Sequence, residues 1–160
     1  MEFGGNYLFS APRQQVWVAL NDTTMLQAAI PGCRRIDWTS DHELELELQV
    51  NLGLMQPVFT GDLTLSDIVP AERYTLAGRG RGGVLGLAQG AAHITLADAT
   101  GGTALHFRAL GGADGGIVKL GRALLGNSAQ KVIDGFFERF AAAMGVEVVP
   151  IDEAPAVPSR

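Results

Sequence analysis

Residues 42–50, HELELELQV, alternate without a break. Leu44, Leu46, Leu48 and Val50 fall on one side of an extended chain, and Glu43, Glu45, Glu47 and Gln49 on the other. Side chains on a strand change face at every residue, so this stretch predicts a strand with one apolar and one wet face. Two unlike faces are the mark of an antiparallel sheet, because parallel sheets are covered on both sides.

The same pattern extends outward. Cys33–Thr39 is the expected partner before it, across a turn at Ser40-Asp41. Residues 58–68 place Phe59, Gly61, Leu63 and Leu65 inward. Residues 73–81 do so with Tyr74 and Leu76, residues 89–97 with Ile94 and Leu96, and residues 103–110 with Thr103, Leu105 and Phe107. Turn residues such as Val69-Pro70-Ala71-Glu72 and Ala99-Thr100-Gly101-Gly102 separate the runs, which predicts a meander. Residues 2–10 form one more strand, with Phe3, Gly5, Tyr7 and Phe9 on one side.

Two short helices follow that first strand. Residues 12–21 open on Pro12, with Ser10 as the expected cap, and carry Val16, Trp17 and Leu20 on one face. Asn21-Asp22-Thr23 caps a second helix over about 23–30, which Pro31-Gly32 stops. At the other end, residues 117–144 read as one long helix. Its apolar stripe shifts between Leu120-Leu124-Leu125 and Ile133-Phe136-Phe137-Phe140, so a bend is expected at Gly126-Asn127-Ser128. The expected fold class is α+β: a curved seven-stranded antiparallel sheet wrapped around the long C-terminal helix. Residues 1–146 form this domain, and residues 147–160, rich in proline, are expected to be a flexible tail.

Composition removes several function classes. The chain has 160 residues, 47% hydrophobic and 18% charged, enough for a core without disulfides. Its 12 basic and 17 acidic residues give a net charge of -5, and no basic block stands out, so nucleic acid is not an expected partner. Cys33 is the single cysteine, which fits a reducing compartment. The N-terminal MEFGGNYLFS has neither a basic region nor a long apolar core, and no window approaches the ~18 apolar residues of a membrane span. A cytoplasmic protein is expected, with peripheral contact at the inner face of the membrane as its closest approach to lipid.

The order strand, two helices, six strands, long helix resembles the helix-grip fold of the START-like superfamily. Local motifs narrow the resemblance. Ser10-Ala11-Pro12, Val16-Trp17, Leu20-Asn21-Asp22 and Ile30-Pro31-Gly32-Cys33 resemble the N-terminal pattern of the carbon monoxide dehydrogenase CoxG family. Phe59-Thr60-Gly61, Leu65-Ser66-Asp67, the glycine-rich stretch 78–90, and Gly121 with Phe136-Phe137 do the same farther along. The resemblance covers about residues 1–145. It implies an internal apolar cavity and association with a molybdenum hydroxylase, in membrane recruitment or in handling a lipophilic electron acceptor. Many members carry a C-terminal apolar anchor, whereas this sequence ends at Arg160 with a polar, proline-containing tail.

The residues themselves point to binding rather than catalysis. Inward strand positions are almost all apolar, the polar exceptions being Tyr7, Tyr74 and Thr103. His93 and His106 fall on the outward side and His42 at a turn, so no inward histidine or carboxylate pair is in place for acid–base work. Neither a catalytic residue, a metal site nor a cofactor is expected. GRGRGGVLGLAQG lacks the lysine and the helix that a phosphate loop needs, and its glycines serve strand bending. The expected ligand is an apolar small molecule, a quinone or a lipid. Its expected lining is Tyr7, Leu26, Leu48, Leu54, Phe59, Leu63, Tyr74, Leu76, Leu87, Ile94, Phe107, Leu120 and Leu124. Gly5, Gly61, Gly78 and Gly90 leave room in that lining, unless the large side chains fill it.

Alternate hairpins of a meander share one end. Leu52, Leu54, Met55, Val84, Leu85 and Leu87, with Arg79 and Arg81, therefore gather at one apolar, arginine-flanked rim. These tips either touch a membrane or partner, or they plug the cavity or join two copies as a homodimer. The favoured function is a non-catalytic carrier of an apolar ligand that serves a molybdenum hydroxylase. The alternatives are an assembly or recruitment factor with an incidental cavity, and a cyclase- or hydratase-like enzyme.

Overall fold

Alternation places the strands well. This computed structural model describes residues 3–49, 53–81, 88–110 and 129–151. The strands are β1 (Phe3–Phe9), β2 (Cys33–Trp38), β3 (Glu43–Gln49), β4 (Val58–Val69), β5 (Arg73–Arg81), β6 (Ala88–Ala99), β7 (Gly102–Leu110) and β8 (Val148–Ile151). The helices are α1 (Arg13–Leu20), α2 (Thr23–Ala29) and α3 (Ala129–Met144). One sheet runs in the order β2-β3-β4-β5-β6-β7-β1-β8. The expected bend near Gly126 and the first part of the long helix lie outside the described residues.

The sheet has eight strands where seven were expected. β8 forms inside the segment read as tail, because Val148, Val149 and Ile151 favour extended chain and β1 offers an open edge. It pairs antiparallel from Phe9↔Val148 to Asn6↔Ile151, and Pro150 is tolerated on this outermost strand because no further strand needs its missing N–H. Ser10 serves this junction instead of capping a helix. Its N–H donates to the Glu147 carbonyl at 2.9 Å, and its Oγ accepts from the Glu147 N–H at 2.8 Å. α1 begins after Pro12 with no side-chain cap. α2 is capped as its sequence indicates, Asp22 accepting from the Thr24 N–H at 2.8 Å.

Gly32 explains the Ile-Pro-Gly-Cys corner. Its φ of +76° suits glycine, and a Cβ there would run into the Gln49 carbonyl oxygen. The Gln49 N–H donates to the Gly32 carbonyl at 2.8 Å, so the corner ties the end of α2 to the end of β3. Arg139 of α3 donates through Nε to the Ala29 carbonyl at 2.8 Å, which joins α2 to α3 at a carbonyl left free by the helix end.

The core lies between the concave face of the sheet and α3. Phe137 meets Tyr7, Phe9 and Phe107 at ring-centre distances of 4.6, 6.2 and 5.8 Å. Phe140 meets Phe9 at 6.0 Å. Each buried aromatic side chain contributes about 1.5–3 kcal/mol by leaving water. Thr103, fully buried, donates its hydroxyl to the Ala11 carbonyl at 2.7 Å, which satisfies the one polar side chain buried in that wall.

Candidate functional site

The concave face is built from the inward residues of β3 to β7 and β1. Leu44, Leu46, Leu48, Phe59, Leu65, Tyr74, Ile94 and Leu105 are buried there. Leu26 on α2 joins them. Leu63, Leu76 and Phe107 are only half-buried although they share this face, and so is Phe136 on α3. Apolar surface inside the grip thus stays accessible along the middle of the sheet.

The two tyrosines differ. Tyr7 donates its hydroxyl to Asp134 Oδ1 on α3 at 2.6 Å, the length of a hydroxyl bond to a charged carboxylate. Tyr74 packs edge-on against Trp17 of α1 at 5.5 Å, and its hydroxyl has no hydrogen-bond partner among the described residues. Burial pushes the Tyr74 pKa well above its ordinary value. Its hydroxyl therefore stays protonated, a donor facing an apolar wall.

Asp134 is an inward carboxylate that pattern reading misses. On a helix face beside Ile133 and Phe137 it looks like a solvent residue, and only its contact with Tyr7 reveals its direction. It stands without a histidine, and the bond to Tyr7 fastens α3 to β1. His93 and His106 point outward as their parity requires. Their Nδ1 atoms lie 2.7 Å from Thr75 Oγ1 and from Asn6 Oδ1. Among the described residues no three His, Cys, Asp or Glu side chains gather where a metal would need them. Cys33 is half-buried, burial pushes its thiol pKa up, and Sγ donates to the Arg35 carbonyl at 3.4 Å.

The glycines leave less room than the sequence suggested. A Cβ on Gly5 would meet the Tyr7 hydroxyl at 2.9 Å, one on Gly78 the Leu63 side chain at 3.2 Å, and one on Gly61 the Leu46 side chain at 3.4 Å. Neighbouring side chains lean over these gaps, because a strand position without a Cβ invites them. Leu54 is also corrected as a lining residue. It stands fully exposed at the loop before β4, beside the exposed Met55, so both belong to the strand-end surface. Arg79 is exposed on the convex face of β5. Leu87, Leu120 and Leu124 of the expected lining lie outside the described residues, as do Leu52, Val84, Leu85 and the Arg81 side chain of the expected rim. Two open grooves of about 490 and 610 Å³ lie on the outer side of α1 and α2, beside Val18, Met25 and Trp38, away from the grip.

An antiparallel sheet gripping one C-terminal helix over an apolar interior defines a helix-grip protein. Solved structures share the fold. A conserved protein from Geobacillus kaustophilus superposes with a TM-score of 0.72 at 21% identity, covering 92% of this chain and 99% of that one. A protein from Chromobacterium violaceum gives 0.67 at 18%, covering 89% and 96%. A protein from Arthrobacter aurescens gives 0.68 at 14%, covering 90% and 86%. None of the curated proteins compared with it matches. Residues 5–145 match the family model of CoxG, a carbon monoxide dehydrogenase subunit, and the chain belongs to that CoxG family. No helix among the described residues is long and apolar enough to cross a membrane.

Proposed function

We propose that this chain is a non-catalytic carrier. It holds an apolar ligand, a quinone or a lipid, between the concave face and the C-terminal helix, and serves a molybdenum hydroxylase of the carbon monoxide dehydrogenase type at the inner face of the membrane. One observation carries the ligand half: accessible apolar surface at Leu63, Leu76, Phe107 and Phe136 lies on the same wall as the unpartnered hydroxyl of Tyr74. A ligand that is apolar except for a carbonyl or ester oxygen suits that wall, because a buried neutral hydroxyl is a donor in want of an acceptor. Family membership supports the partner half. Leu54 and Met55, exposed where the strands end, supply an apolar contact for the membrane.

The test is a titration with a decyl-tailed benzoquinone, followed through Trp17 fluorescence in a Trp38→Phe background. Saturable one-to-one quenching is expected, and Tyr74→Phe should weaken it roughly 2- to 10-fold, the share of one hydrogen bond. Quenching that never saturates contradicts the carrier. The crowded glycine gaps favour a second reading, recruitment or assembly of the enzyme with an incidental interior. That reading expects binding to the enzyme and none to the quinone.

A further inference from the structure

The convex face of the sheet divides its charge by strand. On β2, β3 and β4 it carries Asp37, Glu43, Glu45, Glu47 and Asp62. Arg35 pairs with Asp37 at 2.9 Å and with Glu45 at 3.1 Å, and Arg34 with Glu47 at 3.8 Å. The sign changes at the next strand, where Asp62 stands opposite Arg79. Outward positions of β5, β6 and β7 hold Arg73, Arg79 and Arg108 with His93 and His106, and the described ones hold no carboxylate. His93 lies between Thr75 and Arg108, and His106 between Thr95 and Asn6. Arg73, Arg79 and Arg108 are exposed and make no ion pair among the described residues. Between them lie small side chains, Thr75, Ala77, Ala91 and Thr95, so the guanidinium groups stand clear of the surface. In a chain of net charge -5, this concentration of unpaired cations is a local exception.

We propose that this half of the convex face docks an acidic protein surface, on the enzyme that the chain serves. The docking presupposes the partnership proposed above. The patch spans about three strand spacings by six residues, roughly 15 by 20 Å. An area that small belongs to transient encounters, in which opposite charge sets the rate and the orientation. A bilayer fits it poorly. It is flat and wider than the molecule, so it would touch a convex wall along a line and bring the carboxylates of β2 to β4 against its own anionic headgroups. The exposed Leu54 and Met55 lie at the strand ends, so a membrane met there leaves this wall facing sideways, towards a protein neighbour.

The experiment is surface plasmon resonance of the full chain on immobilised carbon monoxide dehydrogenase from the same source, at 50 and 300 mM salt. The native chain should bind and lose most of its affinity at the higher salt. Arg73→Glu with Arg108→Glu should weaken binding at least 10-fold at 50 mM, and Glu43→Lys should leave it equal or tighter. Arg108→Gln, a milder change, should still weaken it 2- to 5-fold if the double variant fails to fold. Native binding that survives both arginine variants removes this surface and leaves the partnership standing. A native chain that does not bind the enzyme overturns the partnership and the docking together. If the arginine variants lose only binding to phosphatidylglycerol vesicles, or only self-association in sedimentation, the occupant is lipid or a second copy and the proposal is wrong.

Discussion

The hydroxyl of Tyr7 is bound to Asp134, and that of Tyr74 meets only apolar neighbours and the edge of Trp17. Both residues are legible as inward tyrosines from strand parity. Their difference is not, because it depends on which helix residue lies opposite. Tyr74 also sets a pH dependence. Burial raises its pKa above the ordinary value of about 10, so the folded chain holds this proton more tightly than the unfolded chain. The stability it contributes is complete below about pH 10 and is lost as pH rises towards the folded value. Urea midpoints measured from pH 9 to 11 should therefore fall, and should fall less in Tyr74→Phe. An equal fall in both proteins would place the alkaline effect elsewhere.

At the scale of elements, α3 is held by its aromatic stripe and by two polar ties. Phe137 is 1% exposed and touches rings on β1 and β7 as well as its helix neighbour Phe136. Phe137→Ala should cost about 3–5 kcal/mol in urea unfolding, since no single neighbour can fill the space of a ring gripped from three sides. A loss below ~1 kcal/mol would mean that α3 is not packed as described. The strands β2 to β7 are readable almost to the residue because one wet face writes period two into the sequence. β8 is not readable. Four residues with a proline carry little pattern, and their strand character comes from the open edge of β1. Ser10 misleads for the same reason: a serine before a helix looks like a cap, and a later strand claims it.

For the whole molecule, the fold follows from the order of elements, and the character of the interior from parity alone. The partition of charge on the convex face does not. Parity assigns each arginine and glutamate its side correctly, but only strand order and register gather Arg73, Arg79 and Arg108 away from the carboxylates. The central claim concerns the inside of the grip. It is tested most directly by purifying the chain without detergent from a host related to its source, extracting it with organic solvent, and weighing the extract by mass spectrometry against the protein. A carrier should yield close to one quinone or lipid per chain, and Tyr74→Phe should yield less. An extract free of apolar compounds, from a chain that also fails to take up added quinone, would contradict the account.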